Sequence, residues 1–278
     1  MFSLANIKKY HAYLLNEEKS EATIEKYIRD IKTFCHFVGE KEISKGLVLE
    51  YKNKLLEKYA PASVNSMLSS LNSYFSFFGC YDLKVKNVKI QKQIFVSDEK
   101  ELSKTEYERL LETAKKRQNE RLYLLMQTIC STGIRVSELK FITAEAVGKG
   151  FSEISCKGKR RKVFLPNALC KLLKNYLKKM KIKSGPVFIT KNGNPLNRSN
   201  IWNDMKKLCL KAGVSAQKVF PHNLRHLFAR TYYSVQKDIV RLSDILGHSN
   251  INITRIYTKE SGEIHRKQIQ KLGLLYMT

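Results

Sequence analysis

The stretch SEATIEKYIRDIKTFCHFV places Ile24, Tyr27, Ile28, Ile31, Phe34, Cys35 and Val38 three or four residues apart. Only a helix brings residues at those separations onto one face, so this segment must bury a stripe against a partner. Ser20 stands where a capping hydroxyl is expected. A second stretch, PASVNSMLSSLNSYFSFF, repeats the pattern with Val64, Leu68, Leu71, Phe75 and Phe78. It starts with Pro61, at a position where a helix tolerates the missing N–H, and its opposite face is Ser and Asn. Helices before (Leu4 to Leu15) and between (Leu47 to Tyr59) complete an all-helical unit over residues 1–81.

From Asp82 to Glu101 the periodicity dissolves into a basic segment, read as an interdomain linker. The pair Ser103-x-x-Glu106 is a capping signal and opens a second domain, 102–278. Helices are expected from Glu106 to Lys116 and from Arg121 to Thr128. At FSEISCKGKRRKVFLP two short alternating or apolar runs flank a Gly-containing basic turn, the pattern of a β-hairpin. Helices follow at Pro166 to Met180, Asn200 to Ala212, Asn223 to Val235 and Val240 to Leu246. The expected fold class is mainly α with a small antiparallel β-sheet, in two domains, and 278 residues suffice for each to bury its own core.

Charge narrows the partner. The chain carries 51 Lys and Arg against 25 Asp and Glu, a net charge of +26. A folded protein that repels itself this strongly anticipates a polyanion, with a ribosomal-type structural protein as the plainer alternative. No apolar run approaches the length of a bilayer and the N-terminus lacks a signal-peptide cleavage pattern, so a cytoplasmic protein without a membrane partner is expected. The cysteines, Cys35, Cys80, Cys130, Cys156, Cys170 and Cys209, are widely spaced with no CxxC pair. They point to neither a zinc site nor a disulfide framework.

Three motifs carry chemistry. In TGIRVSEL, Thr132 and Gly133 break one helix and Arg135 sits in the first turn of the next, beside backbone N–H groups that suit an anionic oxygen. In PHNLRHLF, His222 and Arg225 share a helical face, while Leu224 and Phe228 share another that anchors it; His226 is ambiguous, and a lone His and Arg at this spacing also describe an incidental surface pair. In ILGHSNINITRIYT, Gly247 ends a helix, His248 follows at the turn, and Tyr257 lies nine residues later. In isolation Tyr257 reads as an ordinary core tyrosine.

Together, two arginines, two histidines, a basic hairpin and a tyrosine meet the needs of phosphoryl transfer without a metal. The arginines can neutralise charge on the non-bridging oxygens, and the histidines can hydrogen-bond them and move a proton from the phenol. A Lys on the hairpin, Lys157 or Lys159, can supply the proton for the departing oxygen. Acidic residues are sparse around these motifs, which argues against metal-dependent cleavage.

Arg135 in TGIRVSEL, His222 and Arg225 in HNLRH, His248 in LGHSN and Tyr257 in IYT stand in the order of the tyrosine recombinase, or phage-integrase, family, which this chain resembles over nearly its whole length. The resemblance implies a C-shaped clamp on duplex DNA and a site-specific recombinase that needs no cofactor or metal. Tyr257 is then expected to attack the scissile phosphate, leaving a 3′-phosphotyrosyl link and a free 5′-hydroxyl. Arg135 and Arg225 would clamp the phosphate, and His222 and His248 would assist. The family's hairpin lysine maps to Lys157, with Lys159 as rival because Cys156 replaces the first Gly of the usual Gly-Lys-Gly turn. Glu138 maps to an acidic position that buttresses the active-site Arg. The segment from about 260 to 278, apolar at Leu272, Leu274, Leu275 and Tyr276, is expected to dock on a neighbouring protomer and assemble a homotetramer on two double-stranded DNA sites. A topoisomerase of the related tyrosine class and a catalytically silent DNA-binding regulator are the alternatives.

Overall fold

The two amphipathic stripes become α2 (Glu21–Val38) and α4 (Pro61–Phe77), joined by α1 (Leu4–Asn16) and α3 (Lys45–Lys58) in the first of two units, Met1–Gln93. The computed structural model describes residues 4–90, 101–156, 159–248, 250–257 and 270–272. Ile24, Ile31, Phe34 and Val38 of α2 and Val64, Leu68, Leu71 and Phe75 of α4 are buried, meeting Tyr10, Leu14, Val48 and Tyr74 in one core. Each such side chain contributes about 1.5–3 kcal/mol by leaving water, so this packing rather than helix propensity holds the unit.

Ser20 precedes α2 in the capping position, but its hydroxyl bonds Thr23 Oγ1 at 2.8 Å and no backbone amide, so the expected cap is not made. The neutral face of α4 has a definite use. The Asn72 side chain donates to the Val85 carbonyl at 2.8 Å and accepts from the Val85 N–H at 3.0 Å. Two turns earlier Asn65 does the same to Val88, at 2.9 and 2.7 Å. Lys45 and Lys52 cover the carbonyls of Asp82, Lys84 and Lys86. Residues 82–88, within the stretch read as linker, thus have much of their backbone satisfied by the first unit.

The second unit, Ile94–Thr278, includes α5 (Lys104–Lys116). Its capping box is complete: Ser103 Oγ accepts from the Glu106 N–H and the Glu106 carboxylate accepts from the Ser103 N–H. Next, α6 (Glu120–Thr132) buries Leu124, Leu125, Met126 and Ile129. After α7 (Ala144–Lys149), β1 (Phe151–Cys156) and β2 (Lys159–Phe164) form an antiparallel hairpin with Ser152 opposite Val163 and Ile154 opposite Arg161. Then come α8 (Asn167–Lys179), α9 (Arg198–Ala212), α10 (Pro221–Gln236), α11 (Ile239–Leu246) and the short α12 (Ile251–Thr254). Helix α6 packs against α5, α8, α9 and α10. The fold is mainly α with a small antiparallel sheet. No helix among the described residues is long and apolar enough to cross a membrane.

Candidate active site

Helix α6 stops where Gly133 turns left-handed, at φ 65°. A Cβ at this position would lie 2.5 Å from Phe228 Cδ1, so only glycine lets α10 lie so close to the end of α6. The close approach brings Arg225 of α10 to the Gly133 carbonyl, to which its Nη1 donates at 2.6 Å. Its Nη2 donates to the Leu246 carbonyl at 2.8 Å and to His248 Nε2 at 3.0 Å. Arg225 is only 1 % exposed. Burial first, and then the nearby Arg135, bring its pKa down to about 10, with Tyr257 partly offsetting them. At neutral pH it stays a cation.

Arg135 does not occupy the first turn of a helix. It is the extended residue before a 3₁₀ turn, Val136–Phe141, and its own N–H donates to Glu138 Oε2 at 2.9 Å. With that amide occupied, any anion must be held by the guanidinium instead. Arg135 Nη1 donates to Glu138 Oε1 at 2.9 Å and Nη2 to the Gly247 carbonyl at 3.1 Å. Burial pushes the Glu138 carboxyl upward, but the Arg135 N–H and the charges of Arg161 and Arg135 outweigh it and hold the group below the usual carboxylate range.

The end of α11 organises the arginines. Three consecutive carbonyls, those of Ile245, Leu246 and Gly247, accept from Arg161, Arg225 and Arg135 respectively. A helix C-terminus carries partial negative charge, which lowers the cost of gathering cations there. His248 follows directly. Since a guanidinium can only donate, His248 Nε2 is the acceptor and the ring proton belongs on Nδ1, facing Thr254 Oγ1 at 2.8 Å.

Tyr257 closes a 3₁₀ turn after α12, is 3 % exposed, and packs with Ala229, Leu242 and Leu246. It is therefore a packed tyrosine and also a wall of the cleft. Its ring stacks on His248 at 6.0 Å and meets His226 edge-on at 4.7 Å; His226 meets His222 edge-on at 4.5 Å. Arg135, His222, Arg225, His248 and Tyr257 line one cleft of about 470 Å³, together with Arg198 and Trp202 of α9. Lys157 lies outside the described residues, as does the side chain of Lys159.

Arg161 escaped sequence reading because it sits in the run KGKRRK, which looks like a solvated turn. Counting back by two from the apolar Val163 would have put it on the inward face of β2. Thr254, in the polar stretch SNINIT, carried no comparable signal. Among the described residues no cluster of three or more His, Cys, Asp or Glu is arranged to hold a metal ion.

Burial, reinforced by neighbouring charge, lowers the pKa of His222, His226 and His248, the last two to about 4. Stability should therefore decline as pH drops from about 6.5 to about 4, where the unfolded chain binds protons that folded His226 and His248 refuse, and protonation of Glu138 extends the decline below that range. Unfolding midpoints across that range check this. His226→Phe should flatten the slope, and an unchanged slope would acquit His226.

Fold and cleft define a class: a two-unit, mainly helical, strongly basic protein whose cationic cleft is equipped to work on DNA phosphates. Residues 100–263 match the phage integrase family, and residues 7–78 match the phage integrase N-terminal SAM-like domain. Tyrosine recombinase XerA of Pyrococcus furiosus is 30 % identical over 280 residues, covering 97 % of this chain and 94 % of that protein. The crystal structure of the XerH site-specific recombinase bound to palindromic difH substrate, a post-cleavage complex, superposes with a TM-score of 0.76 at 22 % identity, covering 96 % of this chain and 84 % of that one. A lambda integrase tetramer bound to a Holliday junction gives 0.74 at 18 % identity, covering 91 % and 76 %. The chain belongs to the phage integrase family and is a site-specific tyrosine recombinase.

Proposed function

We propose that Tyr257 is the nucleophile of this recombinase and that Arg135, His222, Arg225 and His248 act with it on one scissile phosphate. The observation that carries this reading is their convergence on a single cleft from four separate parts of the chain. The Tyr257 oxygen attacks phosphorus, the bond from phosphorus to the 5′-oxygen breaks, and a 3′-phosphotyrosyl link and a 5′-hydroxyl result. Arg135 and Arg225 neutralise the charge that accumulates on the non-bridging oxygens. His248 and His222, neutral at pH 7, are free to accept the phenolic proton. When Arg225 turns to the phosphate, His248 Nε2 loses its present donor and can take that role. Lys157 delivers the proton to the leaving 5′-oxygen, with Lys159 as the rival donor. The phosphodiester energy is kept in the protein link, so the reverse attack by a 5′-hydroxyl from a second site rejoins the strands. The reaction runs on double-stranded DNA in the cytoplasm.

The test is covalent capture. Duplexes carrying a nick beside a random sequence are incubated with the protein and resolved under denaturing conditions. An enriched inverted-repeat sequence recovered on protein supports the reading, and no protein–DNA adduct with any duplex refutes it.

Assembly follows from a second feature. An apolar groove of about 580 Å³ runs along α5, α8 and α10, lined by Tyr107, Leu172, Leu227, Tyr232 and Val235, and Gln127 Nε2 and Ser131 Oγ are buried in it without partners. We assign it to the apolar C-terminal segment of a neighbouring protomer, giving four subunits on two sites. Deleting residues 260–278 should leave single-site binding within about threefold while reducing paired-site complexes at least about tenfold, the scale of losing one hydrophobic anchor of about 1.4 kcal/mol or more. Equal pairing by the truncated chain, read by native gel shift, would end the exchange model.

A further inference from the structure

A cation on the buried face of a two-stranded hairpin needs a strong reason to be there. Arg161 is opposite Ile154, in line with buried Val163, and its side chain is 15 % exposed. Burying an unpaired guanidinium would be prohibitive, and Arg161 has two partners. Its Nη2 donates to Glu138 Oε2 at 2.6 Å, and its Nη1 donates to the Ile245 carbonyl at the end of α11. The chain makes room for it: a Cβ on Gly247 would stand 2.7 Å from Arg161 Cδ. Gly247 thus ends α11 in the left-handed region, at φ 63°, and leaves open the space through which Arg161 reaches the turn.

The electrostatic consequence lies in Glu138. Its carboxylate is shared between Arg135 and Arg161, at 2.9 and 2.6 Å. A carboxylate paired with Arg135 alone would cancel the charge that a phosphate has to find. Divided between two guanidiniums, it still orients Arg135 and leaves the group one net positive charge. Arg161 itself donates to the first carbonyl of the row from which Arg225 and Arg135 hang.

We propose that Arg161 is a positioning residue of the phosphate clamp, which through Glu138 and the end of α11 keeps Arg135 oriented and electrostatically available to the scissile phosphate. This rests on the proposed role of the cleft in DNA cleavage. It concerns a hairpin residue that the motif pattern leaves unassigned.

The test compares two scissile linkages in the nicked duplex selected by covalent capture with the wild-type protein: the natural phosphodiester and a methylphosphonate, in which one charged oxygen is replaced by a neutral methyl group. The neutral centre places little demand on a cationic clamp. Arg161→Met should slow single-turnover cleavage of the phosphodiester about 10²-fold, the scale of losing one preorganised donor, and of the methylphosphonate by less than about fivefold. Arg161→Lys, which can keep one partner but cannot span both, should fall between. Gly247→Ala, which crowds Arg161 without removing its charge, should show the same preference for the neutral linkage. Equal losses on both linkages would reduce Arg161 to structural support, and unchanged phosphodiester cleavage would remove it from the clamp; either overturns the proposal. If Arg161→Met fails to fold, the comparison is read on Arg161→Lys and Gly247→Ala. Failure of the wild-type protein to cleave any duplex would instead indict the cleft itself.

Discussion

Tyr257→Phe should bind DNA as tightly as the wild-type protein and form no covalent adduct. The substitution keeps the ring that packs with Ala229, Leu242 and Leu246 and meets His226 edge-on at 4.7 Å, so the fold has little to lose. What disappears is the one oxygen able to form the phosphodiester link. A loss of at least about 10⁶-fold is the expected scale when a covalent nucleophile is removed, which on a denaturing gel is a blank lane. Native gel shift supplies the binding control. Adduct formation by the Phe variant would transfer the nucleophile to another residue, and a variant that neither binds nor folds would make the tyrosine structural.

Arg225→Gln should separate activity from stability. Arg225 is the most deeply buried cation of the cleft, 1 % exposed, with hydrogen bonds to two carbonyls and an imidazole. The expected loss in cleavage rate is at least about 10³-fold, since both charge neutralisation and a hydrogen-bond donor to the phosphate are removed. Stability has opposing contributions. Leaving buried carbonyls unpaired costs about 1–3 kcal/mol each, whereas removing a cation from a low-dielectric site returns several kcal/mol of desolvation. The net change in unfolding free energy should therefore stay within about 2 kcal/mol, measured in urea. Retention of more than a tenth of wild-type cleavage would move the clamp elsewhere.

Spacing alone was enough to read the longer helices, whereas the short α7 and α12 are too brief to show a period. The stripe of Ile24, Ile31, Phe34 and Val38 is buried as a period near 3.6 demands, and the Ser103-x-x-Glu106 signal forms its capping box. Where the reading missed, competition between nearby groups was the cause. Ser20 found Thr23 before it found an amide, and the Arg135 N–H was taken by Glu138, turning an expected helix start into a 3₁₀ turn. The Ser and Asn face of α4 was visible as composition, but its pairing of Asn65 and Asn72 with the backbone of Val88 and Val85 needed coordinates.

The order of Arg135, His222, Arg225, His248 and Tyr257 and the charge of +26 are properties of the chain alone, and they carry the resemblance that pointed to the tyrosine recombinase family. The sequence could not say that three guanidiniums hang from three successive carbonyls at the end of α11, nor that Arg161 of the hairpin is one of them. Periodicity records which face of an element is buried. It carries no information on which distant element supplies the partners, and the proton on His248 Nδ1, the depressed histidines and the sharing of Glu138 all depend on those partners. They were decided only when Gly133 and Gly247, by lacking a side chain, let Phe228 and Arg161 come close.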